Sequence, residues 1–169
     1  EYSSTTNAVT VKIEAAGDRV LRVTVQTADS SDNDVLAFTN VYNASGTWTP
    51  KAQKTVTGRN DVPSIFTFKL YKVENGVEEE IDETNNSGSS ITFTPISYTL
   101  SDVNKEFVYI VKEEQTAIPG YTLSTEEYRY TVEVTDDGEG NLETTQTVEK
   151  KNATDYEDCV GTPLFTNYY

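Results

Sequence analysis

Apolar and polar residues in this chain alternate at a period of two, and no stretch holds the helical period of about 3.6. Short runs rich in Thr, Val, Tyr, Phe and Ile are separated by turn residues. In a strand, successive side chains point to opposite faces, so each run has one face to bury and one to leave in water. The alternation predicts strands at 8–13, 20–26, 36–42, 52–58, 65–73, 91–94, 107–113, 128–134, 142–148 and 164–168. Many short strands with no helical segment between them predict an all-β sandwich, its core built on Phe66, Phe68, Leu70, Phe93 and Phe107. Asp137-Gly138-Glu139-Gly140-Asn141 lies between two alternating runs and reads as a hairpin turn. Its carboxylates raise the question of calcium, but the ligand spacing of an EF-hand loop is absent.

An internal repeat sets the domain layout. YSSTTNAVTVKIEAAGDRVLRVTVQT, leading to AFTNVY, stands near the start. YTLSTEEYRYTVEVTDDGEGNLETTQT, leading to LFTNYY, stands at the end. Each has an opening tyrosine, two alternating strands around a Gly turn, and a final Phe-Thr-Asn. Residues 1–43 therefore read as the C-terminal strands of a preceding sandwich domain, 44–50 as a linker with Gly46 and Pro50, and 51–169 as a complete second copy. The copies are unequal, because the short loop 29–34 replaces the longer segment 150–159.

Composition excludes several function classes. Thirteen Lys and Arg against 28 Asp and Glu give a net charge of −15, which repels phosphate backbones and anionic lipid. No nucleic-acid partner and no membrane contact are expected. The chain has no histidine, so the commonest general base and the commonest metal ligand are both missing. No metal or cofactor is expected, nor an enzyme acting on another molecule. Cys159 is the only cysteine and rules out an internal disulfide; it reads as a small buried hydrophobe or as a reactive thiol. The chain opens at Glu1 with neither leader nor long apolar run and ends at Tyr169 without a sorting signal, so it reads as an excised fragment whose targeting has to be inferred.

Face parity then isolates three polar residues. Lys54 shares a face with Ala52 and Val56; Glu113 shares one with Phe107, Tyr109 and Val111, whereas Glu114 sides with Lys112; Asn167 shares one with Phe165 and Tyr169. A lysine, a glutamate and an asparagine are thus predicted to point inward from three strands. Two readings stand open. In one, Lys54 and Glu113 form a buried ion pair and Asn167 satisfies the remaining lone pairs. In the other, burial favours a neutral amine beside a neutral carboxylic acid, and the amine attacks the Asn167 side chain, with Glu113 hydrogen-bonding its carbonyl and relaying protons as ammonia leaves.

The motifs KTVTGR, FTFKLYKVENG, ITFTPISYTLSDVNKEFVYIVKEE, GYTLSTEEYRYTVEVTDDGEGNL and FTNYY follow one another across residues 51–169. In that order they resemble the pilin isopeptide-linkage domain of streptococcal T-antigen-type backbone pilins, which is similar to the B-type domains of Gram-positive collagen adhesins. The resemblance implies an immunoglobulin-like, collagen-adhesin B-type sandwich with a self-made Lys–Asn isopeptide bond. It places the reacting lysine before the Thr-Val-Thr-Gly stretch at Lys54, with Lys51 as runner-up. The catalytic glutamate falls at Glu113, ending the Tyr-x-apolar-x-Glu strand, and the reacting asparagine at Asn167. Asn40 holds the asparagine position of the first copy, whose lysine and glutamate are not in this chain.

The resemblance also implies a structural subunit or stalk module on a Gram-positive surface: extracellular, anchored to the cell wall, with other pilin or adhesin subunits as partners. A sortase would join them, with Lys150 and Lys151 as candidate linkage points. A host protein- or glycan-binding adhesin module is the alternative, with Trp48, Tyr168 and Tyr169 offering stacking surfaces.

Overall fold

The computed structural model describes residues 9–17, 19–27 and 36–169; the loop 29–34 and Tyr2 lie outside the described residues. Two compact units result, Glu1–Asn43 and Ala44–Tyr169.

The first unit is a three-stranded antiparallel sheet of β1 (Val9–Ala15), β2 (Val20–Thr27) and β3 (Leu36–Val41), in that order. Gly17, at φ 110°, makes the tight turn into β2, and Ala16 N–H donates to the Val20 carbonyl at 2.8 Å. The register sets Val11 opposite Val25, Ile13 opposite Val23 and Ala15 opposite Leu21, so the apolar alternation of both strands falls on one face. Lys12, Glu14, Arg22 and Thr24 hold the intervening positions. That apolar face is uncovered: Val11 is 55 %, Ile13 62 % and Leu21 49 % exposed. The backbone of Asn40 lies opposite Leu21; its side chain is outside what is described.

The second unit is an all-β sandwich. Its strands are β4 (Ser45–Trp48), β5 (Lys51–Thr57), β6 (Thr67–Glu74), β7 (Val77–Asn85), β8 (Ser90–Thr92), β9 (Ile96–Thr99), β10 (Glu106–Glu113), β11 (Glu127–Asp136), β12 (Leu142–Lys151), β13 (Tyr156–Asp158) and β14 (Leu164–Tyr168). A six-stranded sheet runs β13-β12-β11-β10-β6-β7, and β14-β5-β8 and β4-β9 form the smaller sheets. Inward-facing aromatics join the layers. The Phe165 ring of β14 lies 5.1 Å from both Phe68 of β6 and Tyr128 of β11, and Tyr130 donates its hydroxyl to the Lys51 carbonyl at 2.8 Å. Burying each such ring contributes about 1.5–3 kcal/mol. Phe66, Phe68, Leu70 and Phe93 are buried as expected, whereas Phe107 is half-buried. Its ring sits near the start of β10, beneath the Lys72 ammonium and against Tyr98.

The ten predicted strands form, with ends shifted by a few residues, and four more appear. The stretch 44–50, read as a linker, is corrected: β4 pairs with β9, and Trp48 is buried with its ring 5.0 Å from Tyr109 and 5.6 Å from Tyr130. Its indole N–H donates to Gln146 at 2.6 Å, so Trp48 is core and offers no stacking surface. Gly46 is what lets β4 approach β12, because a Cβ there would overlap the Leu142 carbonyl. Gly46→Ala is therefore expected to destabilise the unit by about 1–3 kcal/mol through overpacking, read as a lower urea midpoint at unchanged slope.

The acidic turn joins β11 to β12, as read. Asp137 accepts the backbone N–H groups of Glu139 and Asn141 and the Asn141 side-chain amide, so its oxygens are engaged by the turn itself. Cys159 is half-buried beside β12 rather than in the core, its N–H bonded to the Val148 carbonyl. Among the described residues no helix is long and apolar enough to cross a membrane.

Candidate functional site

Strand β5 reads Lys-Ala-Gln-Lys-Thr-Val-Thr, and its burial follows the alternation: Ala52, Lys54 and Val56 point inward while Lys51, Gln53 and Thr57 are exposed. Lys54 thus enters the core because its neighbours of equal parity are apolar, and Lys51, the runner-up, stays in solvent. β14 pairs with β5 in parallel, with Phe165 opposite Lys54 and Asn167 opposite Val56. Lys54 and Asn167 therefore hold diagonal positions on adjacent strands. Glu113 reaches the same point from the facing sheet, at the end of β10, where the backbone pairs with Phe68 of β6. Parity also separates the two glutamates, since Glu114 turns outward to Lys69 at 3.0 Å.

The structure brings all three inward residues together. Lys54 is 1 %, Glu113 4 % and Asn167 0 % exposed. The Lys54 ammonium donates to Glu113 Oε2 at 3.0 Å, and Asn167 Nδ2 donates to Glu113 Oε1 at 2.6 Å. One carboxyl group thus holds the amine with one oxygen and the amide nitrogen with the other. The Phe66 and Phe68 rings lie 4.7 and 5.8 Å from Lys54 Nζ and wall the group from water. Burial pushes the Lys54 pKa below its ordinary value; the charge of Glu113 and its hydrogen bond pull the other way without restoring it. A larger fraction of the amine is therefore neutral than in water, and only the neutral amine has a lone pair to donate.

One element differs from expectation. Glu113 was expected to bond the Asn167 carbonyl, but the backbone N–H of Ser124 holds that oxygen at 2.7 Å. A backbone N–H can only donate, so it fixes Oδ1 toward Ser124 and Nδ2 toward Glu113. Ser124 carried no signal in the sequence, because any residue but proline supplies that donor.

Among the described residues no buried side-chain nitrogen or oxygen lacks a partner, and no group of three or more His, Cys, Asp or Glu could hold a metal. Lys150 and Lys151 are surface residues paired with Glu126 at 2.6 Å and Glu127 at 3.0 Å. Tyr168 and Tyr169 are exposed. No curated protein matches the chain. Residues 50–169, most of its length, match the family model described as FctA, Spy0128-like isopeptide containing domain, and carry the buried Lys, Glu and Asn just described; the chain belongs to that pilin-type isopeptide-containing family.

Proposed function

We propose that this protein is a structural module of a Gram-positive surface pilus or stalk, locked by an isopeptide bond between Lys54 and Asn167 that forms with Glu113 as proton shuttle. The observation that carries the reading is the bridging carboxyl group. Lys54 Nζ and Asn167 Nδ2, the nucleophile and the leaving nitrogen, sit on the two oxygens of one buried carboxylate.

The chemistry balances within the trio. Glu113 takes a proton from the Lys54 ammonium, leaving a neutral amine and a carboxylic acid. The amine nitrogen bonds to Asn167 Cγ, and the carbonyl electron pair moves onto Oδ1. Glu113 protonates Nδ2, the C–N bond breaks and ammonia departs. The new amide nitrogen then gives its extra proton back to Glu113. One bond forms, one breaks, and one ammonia is lost per chain in a single turnover directed at the protein itself. Purified protein is expected to weigh one ammonia less than its sequence under denaturing conditions. Lys54→Ala, Glu113→Ala and Asn167→Ala are each expected to restore the full mass. The full calculated mass in the parent would end the covalent reading and leave the ion pair.

Residues 1–43 fit the same scheme as the closing strands of a preceding copy. Support comes from the sequence repeat and from the uncovered apolar face bearing Val11, Ile13 and Leu21. Asn40 would then be the bonding partner of a lysine on strands that cover this face. The pairing of β3 departs from this scheme: β3 pairs with β2, whereas its counterpart β14 pairs with the lysine-bearing β5 and not with β12. Further subunits of the same kind are the expected partners, joined by a sortase, on the cell-wall-anchored exterior of the cell.

A further inference from the structure

We propose that the backbone N–H of Ser124 is the oxyanion donor of bond formation, and that Gln115 is a positioning residue that sets it relative to Glu113. The inference rests on the Lys54–Asn167 reading and adds what that reading lacks. As the amine adds to Cγ, negative charge gathers on Oδ1, which Glu113 does not hydrogen-bond. Glu113 is occupied on both oxygens, by Lys54 and by Asn167 Nδ2. Among the described residues, Oδ1 takes its hydrogen bond from Ser124 N–H, at 2.7 Å, in a place from which water is excluded. A fixed dipole aimed at developing charge in a dry site is worth far more than the same contact in water.

Ser124 lies in the segment between β10 and β11, outside either strand, so something must fix it. Two attachments do so. Thr122 exchanges backbone hydrogen bonds with Tyr168, at 2.8 and 3.0 Å, tying the segment to the strand that carries Asn167. Gln115 ties it to the strand that carries Glu113: its side-chain Nε2 donates to the Glu113 carbonyl at 2.9 Å and to the Ser124 carbonyl at 2.8 Å. Both acceptors are carbonyls, so the amide has one orientation and uses both of its hydrogens. One side chain thus spans the base and the donor segment. Beside it, an opening of about 140 Å³ is lined by Lys112, Glu113, Gln115, Thr125, Glu126 and Glu127. That opening borders Thr125 and Glu126, the residues that follow the donor, while Ser124 itself is buried.

The test uses chain isolated under denaturant before it has folded, diluted into buffer and followed by intact mass, with near-ultraviolet circular dichroism tracking the fold. Gln115→Leu removes both bonds at similar volume. It is expected to reach the parent's folded signal but to lose ammonia about 10-fold more slowly, since small misplacements of reacting groups carry such costs. Gln115→Lys, whose ammonium can donate to both carbonyls, is expected to recover most of the rate. The Ser124 amide proton is expected to move upfield in Gln115→Leu and back in Gln115→Lys, a response that a general loss of stability does not give. Replacing Ser124 by its α-hydroxy acid removes only the N–H and is expected to slow closure about 100-fold or more. This second arm decides the matter where Gln115→Leu fails to fold. A parent that closes while Gln115→Leu and the Ser124 ester close equally fast overturns this inference alone. A parent that keeps its full mass overturns the proposed bond itself.

Discussion

Lys54→Ala is expected to melt about 15 °C below the parent while retaining the near-ultraviolet signature of its aromatic core. The bond would join residues 54 and 167, closing a loop of 167 − 54 = 113 residues. By the chain-entropy estimate used for disulfides, a closure of that length is worth about 5 kcal/mol. For a domain of this size, each kcal/mol moves the midpoint by about 3 °C. The effect lies mainly on the unfolded chain, which is why the fold should survive. Phe66, Phe68, Leu70 and Phe93 belong to the buried sandwich core, and of these only Phe66 and Phe68 lie against Lys54 and would lose that contact. Differential scanning calorimetry of parent and variant reads the shift directly. Equal midpoints would show that the closure contributes nothing, even if the mass measurement had found the bond.

The placement of that closure matters more under force than under heat. β5 would open the covalent loop and β14 would close it, and the two lie side by side in parallel. Tension drawn along the second unit from its first strands to its last would load the β5–β14 ladder. The proposed amide from Lys54 to Asn167 would cross that same ladder, so the load would pass through a covalent bond before any strand between them is unzipped. A disulfide could occupy the position, but it would need an oxidant and would yield to thiols.

How much of this was legible in sequence depends on what each residue needs from its neighbours. Alternation alone puts Lys54 inward with Ala52 and Val56, and separates Glu113 from Glu114, because the period of two leaves each strand only two faces. The strands that escaped notice are short, as β4, β9 and β13 are, or largely exposed on both faces, as β7 is. β7 carries Glu78, Glu79, Glu80, Asp82 and Glu83 at the edge of the large sheet, where no face is covered and charge protects against further pairing. Its acids give no apolar alternation, yet Glu80 and Glu78 meet Lys69 and Lys112 on the same sheet at 3.1 and 2.6 Å. β4 is short and begins Ser-Gly, so its turn-like composition outweighed Trp48. The lasting gap is the Ser124 donor. A backbone N–H belongs to every residue, and its aim is decided by the path of the chain between β10 and β11.

Glu113→Ala is expected to be the least stable of the three single variants, about 3–5 kcal/mol below Asn167→Ala. None of the three can form the bond, so the difference isolates what remains in the core. Asn167→Ala keeps the Lys54–Glu113 pair, with both side chains still out of water. Glu113→Ala leaves the Lys54 ammonium among Phe66 and Phe68 with no counter-charge, and an uncompensated buried charge costs about that much. The pH dependence carries the sign. Burial already lowers the Lys54 pKa, and removing Glu113 removes what opposes that shift. Below the lowered folded-state value, both the folded and the unfolded chain bind the proton, and stability is flat. Between that value and the ordinary lysine pKa of about 10.4, the unfolded chain binds a proton that the folded one does not. Stability of Glu113→Ala must therefore rise with pH through that window and level off above it. In a parent that carries the proposed bond the nitrogen would be an amide that does not titrate, so Lys54 would contribute no such rise. Urea midpoints taken at several pH values between neutrality and pH ~10.4 measure both features. A Glu113→Ala midpoint equal to that of Asn167→Ala and insensitive to pH would mean that Lys54 escapes to solvent when its partner is removed, and that the pocket does not hold the amine in place for attack.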